Sequence, residues 1–582
     1  MKLNKTSILH IMPFLTALLC YLCTQKMLST AGWEWCSILI LLTFISTKRY
    51  AGNQKNIHGV FTKKKYMILF FMLYIIYCMG IYGYWFLEDH YLSVSIVENI
   101  LLILASSSWV YLIYVQCISI ALDYSKHKCS NRESGMTKKN QVILFCVLMV
   151  NYIVWIYAFN PCITTPDSHS IFDLIHSTGI YGMVDWHPPF YVMVVSLLLN
   201  IWDSVTFIVL LQCLIYSFLL VRIANYLYKE GLNVSGIIFV IFILGFLFSN
   251  TIQLVTFWRD IPYMMSLLWL TYCLVRIIRG EQKKVLLVEL CISIIFVSLF
   301  RQNGVLPAAM IAIVIVCFAI RNKKKALIIP IIIAMATFGI IRGPIYNAYN
   351  IKPAPNLKFF ALANDIMGVY YSVEDPEDEI KEMANDITNN NPEGWEHNPY
   401  YTKCNGSSLL NYSIPRFVSV YIKTFFNHPI ELCREFLRRN SVLWSVVKPE
   451  EEVAGCVNTL VDFHREEEAE YMYPRRTINA ATGALTAISR NLTENKLLYI
   501  FTWRTSIYLI AILTLAYVAM IQRKYRLLIP IIPLLSNTFS LLLGSGWPDY
   551  RYYWPTEILA VFLISIVFIG RNSQVSEMNN GV

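Results

Sequence analysis

The sequence predicts an all-α polytopic membrane protein, a bundle of about fourteen transmembrane helices with outer interfacial helices and one extracytoplasmic domain. Three observations lead to this fold class. Hydrophobic residues make up 56% of the 582-residue chain and charged residues only 15%, whereas soluble domains carry about 25% charged residues. Long apolar runs alternate with short polar connections along the chain. Lys and Arg gather in every second connection, as they do in the cytoplasmic loops of membrane proteins.

The apolar runs divide the chain into four regions. A transmembrane helix needs about 20 mainly apolar residues, and such runs lie near 7–26, 33–47, 67–87, 98–122, 141–159, 204–226, 235–249, 261–279, 285–300, 304–320, 325–342, 500–521, 526–543 and 556–570. We therefore expect N-terminal transmembrane helices in residues 1–140, a transmembrane core in 141–342, an extracytoplasmic domain in 343–498, and C-terminal helices with a cytoplasmic tail in 499–582.

The basic connections 48–66 and 123–140 set the expected orientation. Placing both of them in the cytoplasm puts the two chain termini there as well. The loop 160–190 and the segment 343–498 then face the outer side of the cell membrane. Residues 190–202 are apolar but too short for a comfortable span, which favours a helix lying on the outer membrane surface.

Polar residues are unusually dense in the loop 160–190. It holds three Asp and three His residues, namely Asp167, Asp173, Asp185, His169, His176 and His187. By topology, three further polar groups lie at outer span ends: Trp258-Arg259-Asp260, Arg301-Gln302-Asn303 and Asp549-Tyr550-Arg551-Tyr552. Arginine forks suit phosphate oxygens, and Trp and Tyr suit both the membrane interface and the faces of sugars. This one-sided collection favours an amphiphilic anion, such as a lipid phosphate, next to a sugar.

Several short patterns resemble those of the GT-C fold membrane glycosyltransferases, the superfamily of the protein O-mannosyltransferases and lipid A aminoarabinose transferases. The first outer loop of that family is similar to Pro166-Asp167-Ser168 followed by Trp186-His187-Pro188-Pro189-Phe190-Tyr191. An Arg-Tyr…Pro element of many bacterial members resembles Asp549-Tyr550-Arg551-Tyr552 with Pro555, and an uncharacterised bacterial branch has a stretch similar to Arg259-Asp260-Ile261-Pro262. The resemblance covers residues 141–350 and 500–570.

The resemblance implies an inverting transfer of a sugar from a polyprenyl-phosphate donor to a glycan or glycolipid acceptor at the outer face, in cell-envelope polysaccharide assembly. Asp167 is then the general base that receives the proton of the acceptor hydroxyl. The implied substrate-binding residues are Asp185, His187, Arg259, Asp260, Arg301, Asn303, Arg551 and Tyr552. Ser168 stands where several members have Glu, so no metal site or other cofactor is predicted, and a divalent cation is kept as an alternative.

The same residues also allow structural roles. Asp167 could cap the helix expected after it, and Asp185 could be a turn residue or the partner of a nearby Arg. Arg259 with Asp260, and Arg551 with Asp549, are candidates for ion pairs at span ends.

Other functions remain open as well. A surface-polysaccharide polymerase or ligase would also handle lipid-linked sugars outside the cell, and a lipid-linked sugar flippase or transporter is a third possibility. No nucleic-acid partner is expected, since the net charge of +10 is spread over short clusters between apolar runs.

Overall fold

The computed structural model describes residues 18–24, 26–27, 64–124, 132, 134–281, 283–354, 360–388, 390–392, 397–400, 413–449, 452, 479–546 and 548–567. These residues form helices joined by short connections, and within them the only β-type pairings are two isolated bridges. An all-α protein is thus confirmed for this part of the chain. The predicted span 33–47, most of 7–26 and the predicted cytoplasmic tail lie outside the described residues.

Eight helices of the described chain are long and apolar enough to cross a membrane. They are Tyr66–Leu87, Ile96–Leu122, Lys138–Ala158, Val205–Lys229, Asp260–Ile278, Gln302–Arg321, Lys325–Ala348 and Tyr525–Gly544. A ninth span is obtained if the helices Val234–Phe246 and Phe248–Leu254, bent by 49° at their junction, are counted as one. The chain therefore has the helices of a membrane protein.

The expected number of about fourteen spans is not reached in these residues. The helix Lys284–Phe300 has only 17 residues. The run 500–521 is divided between Lys496–Trp503 and Ser506–Ile521, and Tyr550–Val567 carries charged residues in its first turns. Hydropathy alone predicts spans for these runs, because it records apolar composition and not where a helix begins or breaks.

The short helix expected after Pro188 is present as Pro189–Ile201, with 13 residues. Proline is tolerated at its first position because the amide there has no partner inside the helix. Its position on the membrane surface stays a prediction.

The helix Asp260–Ile278 lies at the centre of the bundle. Of its 18 most apolar consecutive residues, 83% are buried, whereas the same share is 22% for Lys325–Ala348 at the periphery. The large apolar core around it draws on helices from Lys138–Ala158 to Tyr550–Val567. The first residue of the central helix, Asp260, is therefore held at a fixed point at one end of the bundle.

The N-terminal helices Lys64–Leu87 and Ile96–Tyr124 pack on the outside of Ser506–Ile521. The rings of Phe70 and Tyr517 are 6.3 Å apart, and the hydroxyl groups of Tyr77 and Thr514 share a hydrogen bond of 2.7 Å. These contacts attach the first region to the last one.

The described residues of the segment 343–498 are largely helical. Four helices, Phe360–Ser372, Asp378–Thr388, Ile414–Asn427 and Pro429–Arg439, enclose an apolar core of their own. Arg439 ties this unit to the bundle, since it donates hydrogen bonds to the carbonyl groups of Leu542 and Ser545. The short helix Ser441–Trp444 and the helix Ala480–Glu494 follow.

Candidate functional site

Asp167 lies in the first turn of the short helix Pro166–Asp173. Thr165 caps this helix: its hydroxyl accepts from the backbone N–H of Ser168 at 3.4 Å, and the Ser168 hydroxyl accepts from the backbone N–H of Thr165 at 3.0 Å. This reciprocal arrangement is a capping box. The alternative that Asp167 itself caps the helix is therefore wrong, and its carboxylate is left for other contacts.

The capped helix is fixed to the segment that precedes the central helix of the bundle. Ser168 Oγ donates to the carbonyl oxygen of Phe257 at 2.7 Å. The indole N–H of Trp258 donates to Thr165 Oγ1 at 2.5 Å. Asp167 and the segment that carries Arg259 are thereby held in a common frame.

An ion pair joins Asp167 to Arg551, the second residue of the helix Tyr550–Val567. Arg551 Nη1 is 2.7 Å from Asp167 Oδ2. The same guanidinium group reaches Asp549 Oδ2 from Nε at 2.9 Å and donates from Nη2 to the Tyr552 hydroxyl at 2.6 Å. The side chain of Asp167 is 28% exposed and that of Arg551 only 9%. The carboxylate is therefore the more open member of the pair.

The electrostatic surroundings of Asp167 favour its ionised form. Burial acts to raise the pKa of this carboxyl group, but Arg551, Arg259 and His187 together outweigh burial and hold the pKa well below its usual range. Asp167 is thus a carboxylate at neutral pH.

Arg259 contacts neutral acceptors rather than its neighbour Asp260. Its Nη1 donates to the carbonyl oxygen of Trp186 at 3.1 Å and lies 3.1 Å from Nδ1 of His187. Burial, together with the charge of Arg259, lowers the pKa of His187 to about 4, against the opposite effect of Asp167. A neutral imidazole that accepts from Arg259 at Nδ1 can donate from Nε2 to Ser170 Oγ, 3.1 Å away.

A second ion pair joins Asp260 to Arg301, with Nη1 and Oδ1 2.7 Å apart and both side chains buried. The guanidinium carbon of Arg301 lies 4.8 Å from the ring centre of Tyr552. The guanidinium carbon of Arg551 lies 4.6 Å from the same ring. Tyr552 therefore links the two arginines.

The polar groups around residues 167, 259, 301 and 551, which the topology argument placed on one side of the membrane, meet at one end of the bundle.

Asp185 anchors the second half of the loop. Its carboxylate accepts from Gln302 Nε2 at 2.9 Å and from Arg342 Nη2 at 3.0 Å. Its backbone N–H donates to the carbonyl oxygen of Lys352 at 2.8 Å. Burial raises the pKa of Asp185, although both hydrogen-bond donors act to lower it. This geometry matches the alternative in which Asp185 is the partner of a nearby Arg.

Asn303 takes part in none of the hydrogen bonds and ion pairs described above. A Cβ atom added to Gly544 would come within 3.1 Å of Asn303 Nδ2, so the amide packs against the backbone there. A substrate-binding role for Asn303 stays a prediction.

No group of three or more His, Cys, Asp or Glu side chains in the described part of the chain is placed to hold a metal ion. His176, one of the three histidines of the loop 160–190, has its Nε2 3.7 Å from Asp203 Oδ1.

Sequence reasoning overlooked two residues that shape the site, Thr165 and Ser170. The order Thr165-Pro166-Asp167-Ser168 contains a signal for Thr165, since it combines a capping residue, a proline at the first helical position and a polar residue three positions after the cap. Ser170 offered no comparable signal, because its contact with His187 depends on how the loop closes.

The arrangement can thus offer a carboxylate to a hydroxyl group and guanidinium groups to an anion on one face.

Neither a protein-family model, a curated protein nor a solved structure matches this chain.

Proposed function

We propose that the protein is a GT-C type membrane glycosyltransferase that moves a sugar from a polyprenyl-phosphate donor to a glycan or glycolipid acceptor at the outer face of the membrane. The contact between Asp167 and Arg551 carries this proposal. It combines a partly open carboxylate, which can take a hydroxyl proton, with a buried guanidinium fork, which suits a phosphate leaving group. Both stand at one end of a bundle of membrane-length helices.

Arg259 adds a charge that is available to an anion. Its described contacts are a backbone carbonyl and an imidazole, both neutral. Arg301 and Arg551, by contrast, each contact a carboxylate. A phosphate group that enters beside Asp167 would therefore meet Arg259 without having to displace a carboxylate from it.

Donor binding would also activate the base. An Asp whose pKa is held low is a weak base, because a general base works best with a pKa near the operating pH. A phosphate that binds Arg551 would replace Asp167 as the acceptor of its Nη1 hydrogen bond. The pKa of Asp167 would rise as that contact weakens, so that the carboxylate becomes basic only when the donor is in place.

The transfer step balances with these groups alone. The acceptor oxygen forms a bond to the anomeric carbon, and the bond from that carbon to the phosphate oxygen breaks. The hydroxyl proton passes to Asp167, and the electron pair of the broken bond leaves on the polyprenyl phosphate. Arg551 and Arg259 stabilise the charge that develops there. Attack from the face opposite the phosphate inverts the anomeric configuration.

The test is the variant Asp167→Asn in the purified full-length protein, supplied with a panel of radiolabelled polyprenyl-phosphate sugars. We expect the release of labelled sugar to acceptor or water to fall by about 100-fold or more. Asp173→Asn is the matched control, since Asp173 ends the same helix and is exposed. Normal turnover by well-folded Asp167→Asn protein would contradict the role of this carboxylate as base.

One observation favours a second candidate function, the transport of lipid-linked sugars across the membrane. The bent pair Val234–Phe246 and Phe248–Leu254 places Asn250 against Trp554, whose indole N–H donates to Asn250 Oδ1 at 2.6 Å. Glu557, fully buried one turn further along, accepts from the Tyr550 hydroxyl at 2.7 Å. Broken helices and buried acids recur in transporters. A transporter would lose flux in Glu557→Gln and keep it in Asp167→Asn, which is the reverse of the pattern expected for the transferase.

A further inference from the structure

A cavity of about 780 Å³ lies at the end of the bundle opposite to Asp167. Three helices connect the two ends. Two of them, Asp260–Ile278 and Tyr550–Val567, begin at Asp and Arg residues of the candidate site. The third, Val305–Arg321, begins just after Arg301. All three helices reach the cavity with their last turns. The cavity has the size of a small-molecule site, for which about 300–1,000 Å³ is typical.

The mouth of the cavity is positively charged. The described residues that line it include five basic side chains and no acidic one; the basic residues are Arg279, Arg321, Arg523, Lys524 and Arg526. The Nε atom of Arg279 is buried without a hydrogen-bond partner, although its Nη1 lies 3.4 Å from Glu230. Arg526 donates to the neutral amide of Asn322 at 3.2 Å. No described acidic residue of the cavity lining balances this charge.

The walls of the cavity are apolar. They are formed by side chains from four helices and include Val314, Phe318, Leu515, Ala519, Leu563 and Ile566. A free inorganic anion would gain nothing from such walls. A molecule with an anionic head and a hydrocarbon chain would bury the chain against them, and removing that apolar surface from water favours binding.

We propose that this cavity binds a membrane phospholipid with an anionic headgroup, which places its phosphate at the basic mouth and an acyl chain along the apolar wall. Basic residues at cytoplasmic span ends need no ligand of their own. Here, however, they converge on a half-open, apolar-walled space of ligand size, and one of them presents an unpartnered buried donor. The inference does not depend on the proposed transfer reaction, because it concerns the other end of the bundle.

Lipid retention by the purified full-length protein in detergent tests the headgroup. Native mass spectrometry would compare phosphatidylglycerol with phosphatidylcholine of the same chain length. We expect one tightly held phosphatidylglycerol, bound at least about tenfold more weakly after the double substitution Arg321→Gln and Arg526→Gln, since each basic residue near the headgroup contributes to binding. Both residues are exposed, so their replacement leaves the fold intact.

The matched control removes two charges near the same end of the bundle without touching the cavity. Lys283→Gln with Lys323→Gln does so, because both residues are exposed and neither lines the cavity. Equal retention of the two lipids, or an equal loss in this control, would overturn the proposal.

The acyl chain is tested separately by Ala519→Leu, which adds volume to the apolar wall and leaves every charge in place. We expect this variant to lower the affinity for phosphatidylglycerol. If Ala519→Leu has no effect and millimolar inorganic phosphate displaces the lipid, the cavity is a site for free phosphate, and the lipid assignment is wrong.

Discussion

Arg551 and Asp167 stand 384 positions apart in the sequence and are joined by a contact of 2.7 Å. The contact connects the polar loop that follows Lys138–Ala158 to the start of Tyr550–Val567, the last described helix. Since Arg551 also holds Asp549 and Tyr552, one guanidinium group organises three side chains, and the candidate base is one of them.

Replacing Arg551 by Lys is expected to abolish most transfer while the positive charge remains. A lysine ammonium is a point charge on a flexible stem and cannot reproduce a fork that serves several acceptors in fixed directions. We expect the kcat/KM for the polyprenyl-phosphate sugar to fall by about 100-fold or more, measured with the radiolabelled donor.

The control for this variant is Arg416→Lys, which makes the same change in an exposed arginine paired with Glu382 at 2.6 Å. It should leave the rate unchanged. A wild-type rate in Arg551→Lys would show that charge alone suffices and that the fork is dispensable.

Thr165→Ala should loosen the helix that carries Asp167. The change removes the helix cap, at a cost of about 1 kcal/mol. It also takes the hydrogen-bond acceptor from the buried indole of Trp258. We expect the free energy of unfolding to fall by about 1–2 kcal/mol in denaturant titrations, with a lower transfer rate. Thr165→Ser keeps the hydroxyl and should behave as the wild type; equal losses in both variants would argue against the cap.

The sequence predicted which polar groups lie together better than it predicted the number of spans. Asp167, Arg259, Arg301 and Arg551 were grouped by topology, because residues at the same ends of alternating spans must lie on one side of a membrane. The local pair of Arg551 and Asp549 was among the predicted candidates and is present at 2.9 Å. The contacts between residues far apart in sequence could not be predicted, since they depend on helix rotation and on the loop that Thr165 caps. Arg259 and Asp260, for example, are neighbours in sequence but point to His187 and Arg301 respectively.

The fold of 343–498 was not predicted at all. Its core joins two helices before the long polar stretch 389–413 to two helices after it. No local periodicity therefore links Ile366 to Leu432. Likewise, the run 500–521 looks like one span, whereas the structure divides it, and Arg504 at the break lies fully buried against Glu452 at 2.6 Å. Tertiary partners decide such breaks, and hydropathy does not record them.

The stability of the protein should decrease with falling pH, in part because of His187. Its pKa is about 4 in the folded protein and about 6.5 in an unfolded chain. Between these values the unfolded state binds a proton that the folded state does not, so stability falls as the pH drops from 6.5 to 4. The contribution of His187 to the free energy of unfolding is fully present above pH 6.5. Its complete loss lowers that free energy by at most about 3 kcal/mol.

His187→Gln removes this titration. The variant should show a shallower loss of stability than the wild type between pH 6.5 and 4, measured by chemical unfolding at several pH values. Ser170→Ala, which deletes the hydrogen-bond partner of His187 and keeps the imidazole, should retain the wild-type slope. An unchanged slope in His187→Gln would assign the acid sensitivity to other groups.

The buried pair of Asp365 and Arg439 should behave as a structural unit. Arg439 Nε and Nη2 lie 2.7 and 2.9 Å from the two carboxylate oxygens, and both side chains are fully buried. Burial raises the pKa of Asp365 even though Arg439 acts to lower it. Arg439→Met leaves the carboxylate buried without its cation and should cost about 3–5 kcal/mol of unfolding free energy.

Adding Asp365→Asn to Arg439→Met removes the uncompensated charge, so the double variant should recover a measurable part of that loss. The comparison of both single variants with the double variant gives the coupling energy of the pair. Additive effects would mean that the two residues act independently, against the geometry.

Membrane orientation decides whether Asp167 can meet an extracytoplasmic acceptor, and thiol labelling can measure it. Tyr181→Cys places a thiol at a 68% exposed position of the loop, and Lys283→Cys places one in a basic connection at the far ends of the helices, on a side chain 73% exposed. If basic connections face the cytoplasm, an impermeant maleimide should label Tyr181→Cys in intact cells and Lys283→Cys only after permeabilisation.

Cys433, exposed in the segment 343–498, serves as an internal standard, since the same orientation predicts its labelling from outside. Peptide mapping by mass spectrometry separates these thiols from the exposed Cys146 and Cys317. Protection of Tyr181→Cys together with labelling of Lys283→Cys in intact cells would reverse the orientation. Asp167 and its arginines would then face the cytoplasm, and transfer at the outer face would be impossible, however well the ion pair is formed.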